Sequence, residues 1–471
     1  MESSNFANLP TEILEHVCRE LVADELDAGA RRGLLSLSRV SRRFRTIAIP
    51  DMFREISPIL LDPHELSRPA PYTSFIGLLR TFITNPGIAA EVRDIVTYPL
   101  GRRRMSPEDF AIISTRAADM GITVPASVYP EACKAAAERT LWTEAAGLED
   151  GEASQFLAEM IMAHTPNVRS IDYRVCNENT FFDTFSAAPS RQPPDSRPLL
   201  ASLEDFRIEN LGPANRALPI AKAAPDLDSM WLDGVHGPVT GLCHDRVRVL
   251  LLTTAMLLTD EVKDLVLGFP GVRKLFVSWT SWSLVSPVSD RPWCSPRQAV
   301  DALGPIAAQL TDLTMRFFHW YRYSLDEPRT EPLAECVSSF RSLEALERLD
   351  VDAVTLYDPK HELYERTMYN AKTARRFERM LPRSLKILVL DNMMPGPIDD
   401  DLLVFASAVK ESCPLLQRID YQRVPRRRER LPSGQVEELR ELFGKQGVAF
   451  EDLTDESFAP VSWRRERGDE D

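Results

Sequence analysis

The chain has 471 residues, 44% of them hydrophobic and 27% charged, a composition that excludes a disordered protein and allows a large buried core. Its net charge of -14 disfavours nucleic acid as a partner unless a basic face is segregated, and residues 1–60, with eight Lys/Arg against nine Asp/Glu, supply no such face. The longest apolar run, "VLLLTTAMLL" at 249–258, is half of the roughly 20 residues that a membrane-spanning helix needs, so neither nucleic acid nor a membrane is an expected partner.

The N-terminal "MESSNFANLPTEI" has neither the positive flank nor the apolar core of a secretory signal. Seven cysteines (Cys18, Cys133, Cys176, Cys243, Cys294, Cys336 and Cys413) are scattered and never form C-x-x-C, which reads as reduced thiols in the cytosol, the nucleus or both. In "LPTEILEHVCREL", Pro10 suits the first turn of a helix and Glu12 its positive end, while Ile13, Leu14, Val17, Cys18 and Leu21 recur at helical spacing. After the polar "ADELDAGARRG", a second helix carries Leu34, Leu37, Val40, Ser41, Phe44 and Ile47 on one face, with Arg39, Arg42, Arg43 and Arg45 mostly off it. Pro50 is expected to restart a short third element containing Met52 and Phe53. Three helices in so short a segment bury little surface alone, so a partner covering the remainder would stabilise them.

These residues resemble an F-box. The Leu-Pro-x-Glu-Ile-Leu opening is Leu9-Pro10-Thr11-Glu12-Ile13-Leu14, and the Leu-x-x-Val-Ser-basic-x-aromatic helix is Leu37-Ser38-Arg39-Val40-Ser41-Arg42-Arg43-Phe44. The continuation "RTIAIPDMFREI" is similar to the F-boxes of filamentous fungi. The resemblance implies a three-helix module over 1–56 that docks on the Skp-family adaptor, and through it a cullin, using Leu9, Pro10, Ile13, Leu14, Leu37, Val40 and Ser41. Phe44 stands where many members have Trp, and the 24–32 linker is longer than usual. The competing reading is an ordinary helical pair packed on the chain's own core.

Residues 57–165 read as a helical linker with a possible first repeat, since "SFIGLLRTFITNPGIAAEVRDI" looks like a helix leading to a strand. From 166 to 455 a unit recurs in which an apolar residue is followed three and five positions later by two more. In order the units are "VRSIDY", "LEDFRI", "LDSMWL", "VRVLLL", "VRKLFV", "LTDLTM", "LERLDV", "LKILVL" and "LQRIDY", with "VRDIVT" at 92–97 a weaker match. Their centres, Ile171, Phe206, Met230, Leu250, Leu275, Leu313, Leu349, Leu388 and Ile419, lie 20 to 39 residues apart, around and beyond the roughly 20–29 of regular leucine-rich repeats. The alternation suits short strands, and intervening stretches such as "SPRQAVDALGPIAAQL" and "DDDLLVFASAVKESCPLL" suit helices. The expected fold is therefore α/β of repeat type: an F-box followed by an irregular leucine-rich-repeat-like solenoid with a curved parallel sheet and outer helices, then a charged tail at 456–471. The Pro-rich 188–198 is the expected flexible insertion.

Enzyme motifs are missing: there is no phosphate-cradling glycine loop, no G-x-S-x-G and no zinc spacing. "HELYE" at 361–365 ends in Glu365 where a zinc protease needs His, His236, Cys243 and His244 lack a fourth ligand, and Asp399 to Asp401 suit a helix start better than a metal. "RVPRRRER" at 423–430 is either a solvated loop or a patch for nuclear import or an acidic partner. The middle residues of the strands, Asp172, Arg207, Trp231, Leu251, Phe276, Thr314, Asp350, Val389 and Asp420, are expected to face solvent on the concave surface. Trp231, Leu251 and Phe276, with Trp279 and Trp282, are either a surface for a protein substrate or are covered by the chain's own "RFFHWYRY" at 316–323. The resemblance as a whole implies a non-catalytic substrate-recognition subunit of a Skp-cullin-F-box ubiquitin ligase that needs no metal or cofactor. The alternative is a repeat scaffold without a ligase role.

Overall fold

A computed structural model describes residues 9–23, 28–56, 75–97, 105–129, 151–174, 185, 198–209, 211–279, 294–317, 336–357, 375–392, 398–423 and 433–453. The chain divides into two compact units, Met1–Leu250 and Leu251–Asp471. Trp282, "HELYE", most of "RVPRRRER" and of 188–198, residues 318–323 and the charged tail lie outside the described residues.

Unit one opens with α1 (Thr11–Ala23), α2 (Ala28–Val40), α3 (Arg42–Arg54) and β1 (Glu55–Ile56). It continues through α4 (Phe75–Thr84), α5 (Pro86–Ala89), β2 (Asp94–Thr97), α6 (Pro107–Asp119), α7 (Gly151–His164), β3 (Ser170–Arg174), β4 (Asp205–Glu209), β5 (Gly212–Pro213), α8 (Leu218–Ala223), β6 (Ser229–Asp233) and β7 (Val235–His236). β8 (Val249–Ala255) carries the boundary. Unit two comprises α9 (Thr259–Gly268), β9 (Lys274–Trp279), α10 (Pro296–Ala302), β10 (Asp312–Arg316), β11 (Arg348–Asp352), α11 (Ala353–Leu356), α12 (Arg376–Met380), β12 (Ile387–Asn392), α13 (Ile398–Ser412), β13 (Arg418–Arg423), α14 (Ser433–Lys445) and β14 (Ala449–Asp452).

All nine recurrent units form strands, and so does the weaker "VRDIVT", as β2. In unit one, β1, β2, β3, β4 and β6 pair in parallel in that order, and in unit two β9 to β14 do the same. The protein is therefore α/β with parallel sheet in each unit. Register follows the repeat: Ile56, Ile95, Ile171, Phe206 and Met230 are successive partners in unit one. Leu275, Leu313, Leu349, Leu388, Ile419 and Phe450 are successive partners in unit two. Each of these from Ile95 onward is at most 4% exposed, so identical positions stack into one apolar column per unit.

Helices precede most strands because a parallel pair needs a crossover, and in each unit the helix brings its apolar face against the column. In α13, for example, Ile398, Leu402, Phe405, Ala406 and Val409 are buried, and Phe405 meets Phe377 and Phe443 with ring centroids 5.6 and 6.2 Å apart. The chain enters several strands through a tight turn with its own buried residue three positions before the first apolar one. Leu200 precedes Leu203, Ala224 precedes Leu227, Phe269 precedes Val272, Leu343 precedes Leu346 and Cys413 precedes Leu416, and in each case the later N–H donates to the earlier carbonyl at 3.0 to 3.2 Å. The repeat is thus one position-class longer than the three apolar residues visible in the sequence.

Truncation within the column leaves a cavity that the stacked neighbours cannot close. Leu349→Ala, at a fully buried residue between Leu313 and Leu388, is expected to cost ~2–5 kcal/mol. Glu204→Ala, which removes an exposed ion pair with Arg169 at 3.9 Å, is expected to cost less than ~1 kcal/mol. Urea unfolding of the two variants measures the contrast.

Candidate functional site

The N-terminal helices pack Leu14 and Cys18 of α1, Leu34 of α2 and Phe44, Ile47 and Ala48 of α3 into one small core, with Leu9, Leu37 and Met52 partly buried against it. The expected second helix is two: the chain breaks at Ser41, whose backbone is extended and whose hydroxyl accepts from the Phe44 N–H at 3.2 Å. A serine at this place satisfies one of the unpaired amides of α3, which overrides the apolar periodicity running through it. Pro50, expected to restart the chain, sits inside α3 instead, where the helix tolerates its missing N–H. Arg43 reaches back to the start of α1, donating to the Leu9 carbonyl at 2.6 Å and to Thr11 Oγ1 at 3.2 Å, and so fixes α3 against α1.

Of the seven residues assigned to docking, Leu14 is fully buried and belongs to the module's own core, a correction that follows from its place between α2 and α3. Leu9 and Leu37 are partly buried. Pro10, Ile13, Val40 and Ser41 are exposed. Ile13 at 47% and Val40 at 68% are two of the five large apolar side chains that are exposed among the described residues. Isolated exposed apolar residues are ordinary on a protein surface, but these two fall at the positions the motif predicts for contact. The module is not a free appendage. α3 runs directly into β1, Glu55 and Ile56 pair with Asp94 and Ile95, the Arg54 carbonyl accepts from the Arg93 N–H at 2.8 Å, and Phe53 meets Phe82 edge-on at 6.4 Å.

The predicted substrate surface is only partly exposed. In unit one Trp231 is half-buried beneath the guanidinium of Arg207, 3.5 Å from the ring centroid, and Arg207 is held in turn by Glu209 at 2.8 Å and Asp172 at 3.5 Å. In unit two Phe276 is half-buried, but Leu251 is 7% exposed and Trp279 only 2%. Trp279 is therefore withdrawn from the surface: its ring stacks on Phe317 with centroids 4.1 Å apart and planes 12° from parallel. Phe317 belongs to the aromatic segment proposed as a cover, and its ring is fully buried.

The expectation that strand-middle residues face solvent also needs correction in unit two. Thr314, Asp350, Val389 and Asp420 are all less than 9% exposed. Charge there is neutralised internally. Arg316 at the end of β10 contacts Asp350 of β11 at 2.5 Å and Asp391 of β12 at 2.8 Å, while Arg418 grips Asp420 at 2.7 and 3.1 Å. Asp352, fully buried, caps α11 by accepting from Thr355 N and Oγ1 at 2.9 and 2.6 Å, and it accepts from the Phe317 N–H at 2.5 Å.

Other candidate chemistry resolves into structural roles. His244 Nε2 lies 2.9 Å from the Ala224 carbonyl and its Nδ1 accepts from the Arg246 N–H, so both ring nitrogens bind turns of the repeat. Asp399 and Asp401 in the first turn of α13 accept from the hydroxyls of Tyr421 and Tyr357 at 2.6 and 2.7 Å. Burial pushes the Cys294 thiol up to about 12 and the Cys413 thiol to about 11, which suppresses thiolate chemistry at both. A polar depression of about 290 Å³ in unit one, lined by Arg93, Asn167, Arg169, Ser202, Glu204 and Asp226, is crossed by internal bonds, including Asn167 Nδ2 to the Ala90 carbonyl and Arg246 to Asp226. Among the described residues no group of three or more His, Cys, Asp or Glu side chains is arranged to hold a metal, and no helix is long and apolar enough to cross a membrane. No family model matches the sequence, and no curated protein matches it.

Core and surface tryptophans predict different consequences. Trp279→Ala is expected to destabilise unit two by ~3–5 kcal/mol. Trp231→Ala is expected to cost ~1 kcal/mol, mainly the contact with Arg207. Equilibrium urea unfolding, followed by tryptophan fluorescence, checks the ranking.

Proposed function

We propose that this chain is the substrate-recognition subunit of a Skp-cullin-F-box ubiquitin ligase, with α1 to α3 docking on the Skp-family adaptor and the strand repeats presenting a protein target. The observation that carries the reading is the pairing of two facts. Both halves of the F-box pattern fall on one packed helical module, and Ile13 and Val40, which the pattern assigns to contact, project into solvent while Leu14 and Phe44 close the core beneath. Two branched aliphatic side chains left outside a small core are the type of anchor that an apolar partner surface buries.

On this reading Leu9, Pro10, Ile13, Leu37 and Val40 form the apolar contact, and Ser41 shapes it by ending α2 and capping α3. Leu14 acts indirectly, through the core. The half-buried row of Asp172, Arg207 and Trp231 in unit one is the candidate contact for a target, since it joins an aromatic face to both signs of charge. The chain supplies proximity: it raises the effective concentration of a target lysine beside the ubiquitin thioester, so it needs neither a catalytic residue nor a cofactor of its own.

Ile13→Glu with Val40→Glu in the full chain is expected to weaken binding to the Skp-family adaptor by at least ~100-fold while leaving helix content unchanged, because both side chains are exposed. Leu14→Ala is expected to lower stability by ~2–5 kcal/mol instead. Calorimetric titration against the adaptor with circular dichroism on each variant distinguishes the two effects. Wild-type chain that does not bind, or a double variant that binds like wild type, excludes the reading.

A further inference from the structure

Unit two buries more negative than positive charge at one place. Around the end of β10, the Arg316 guanidinium faces Asp350 and Asp352 of β11 and Asp391 of β12, three carboxylates from two neighbouring strands. Arg348 of β11, the other cation acting on Asp350, is shared with Asp312 at 4.0 Å. Beyond Asp391 in the sheet, β13 presents Gln422, which has no charge, and Asp420 is already gripped by Arg418. Asp352 is saturated by three donors, two from α11 and one from Phe317. Asp350 and Asp391 therefore divide one guanidinium, at 10% and 12% side-chain exposure, and while Arg348 also acts on Asp350, Arg316 is the one cation acting on Asp391 among the described residues.

We propose that the Arg316, Asp350, Asp352 and Asp391 cluster is a proton-binding site, and that unit two takes up a proton there as pH falls and is tightened by it. Protonation leaves the guanidinium paired with one full carboxylate and turns the other into a neutral hydrogen-bonding group, which removes a buried charge without emptying its place. Burial raises both carboxyls, but Asp350 holds the shorter contact to Arg316 and is also acted on by Arg348, so geometry favours Asp391 as the carrier.

Burial raises the Asp391 carboxyl, Arg316 opposes that, and Asp352 and Asp350 raise it further, so that it is pushed up to about 6 from 3.8. A carboxyl raised on folding contributes stability that is fully present below about 3.8 and is lost as pH rises through about 6. Between pH 7.5 and 5.0 this linkage favours the folded state by about tenfold. The effect opposes the ordinary acid lability of paired carboxylates.

The test is hydrogen exchange of the full chain at pH 7.5 and 5.0, read on peptides covering β11 and β12 and corrected for intrinsic exchange. Protection of β12 amides is expected to rise about tenfold in the wild type at the lower pH. Asp391→Asn should abolish the rise and carry near-maximal protection already at pH 7.5. Asp350→Asn, which removes the competing carboxylate, should retain the rise but move its midpoint to lower pH. A wild type with no rise, an Asp391→Asn chain with the same rise, or an Asp350→Asn midpoint that does not move overturns the proposal. If Asp391→Asn does not fold, the wild type and Asp350→Asn decide the matter.

Discussion

One backbone interaction recurs at most strand entrances and sets the spacing of all that follows. The carbonyl just before a strand accepts two successive N–H groups from the next: Arg93 O from Arg169 and Ser170, Arg169 O from Glu204 and Asp205, Glu204 O from Asp228 and Ser229. In unit two the same pairing runs from Arg273 to Thr311 and Asp312, from Thr311 to Glu347 and Arg348, from Glu347 to Lys386 and Ile387, and from Lys386 to Gln417 and Arg418, at 2.7 to 3.2 Å. Because each carbonyl is fixed to a residue of the unit and not to a distance along the chain, insertions between units leave the register intact. Repeats whose centres lie 24 and 35 residues apart in unit one, and 31 and 39 apart in unit two, therefore present equivalent positions to the column of their own unit.

That constraint explains what the sequence shows and what it hides. The apolar triplets are legible because each contributes three buried side chains in a strand of period two, and stacking leaves no tolerance for a polar substitute except at Thr97, which is 1% exposed at the edge of the series. β1 and β14 are not legible as units: β1 has only two paired residues, and "VAFED" lacks the full triplet. The turn position occupied by Leu200, Ala224, Phe269, Leu343 and Cys413 escapes notice because what it shares is burial and a turn hydrogen bond, not residue type. The break at Ser41 is hidden for a related reason, since the apolar spacing continues across it and only the capping chemistry of serine marks the change.

The candidate surfaces divide along the same line. Motif matching marks candidate contact residues, but exposure is decided by where the chain's own core closes, and Leu14 and Trp279 fall on the inner side. For the strand-middle residues, alternation correctly separates them from the column, yet alternation says only that they face the opposite side of the sheet. In unit one that side is half-open at Asp172, Arg207 and Trp231. In unit two it is buried at Thr314, Asp350, Val389 and Asp420, and the ion pairs to Arg316 and Arg418 are what make burial of those aspartates tolerable.

The entrance interaction also reaches the N-terminal helices. Arg93, whose carbonyl starts the series in unit one, donates its own N–H to Arg54 at the end of α3, so the rule that aligns strand with strand aligns the helical module with the first strand. With Arg43 tying α3 to the beginning of α1, and the α1 to α3 core tying both to α2, the exposed Ile13 and Val40 are connected through a series of short bonds to β2. A flexible linker would let a docked partner sample many positions relative to the strands of unit one. A helix that becomes the first strand does not, and on the proposed reading a subunit that works by proximity gains most when the partner's position relative to those strands is fixed by bonds of this kind.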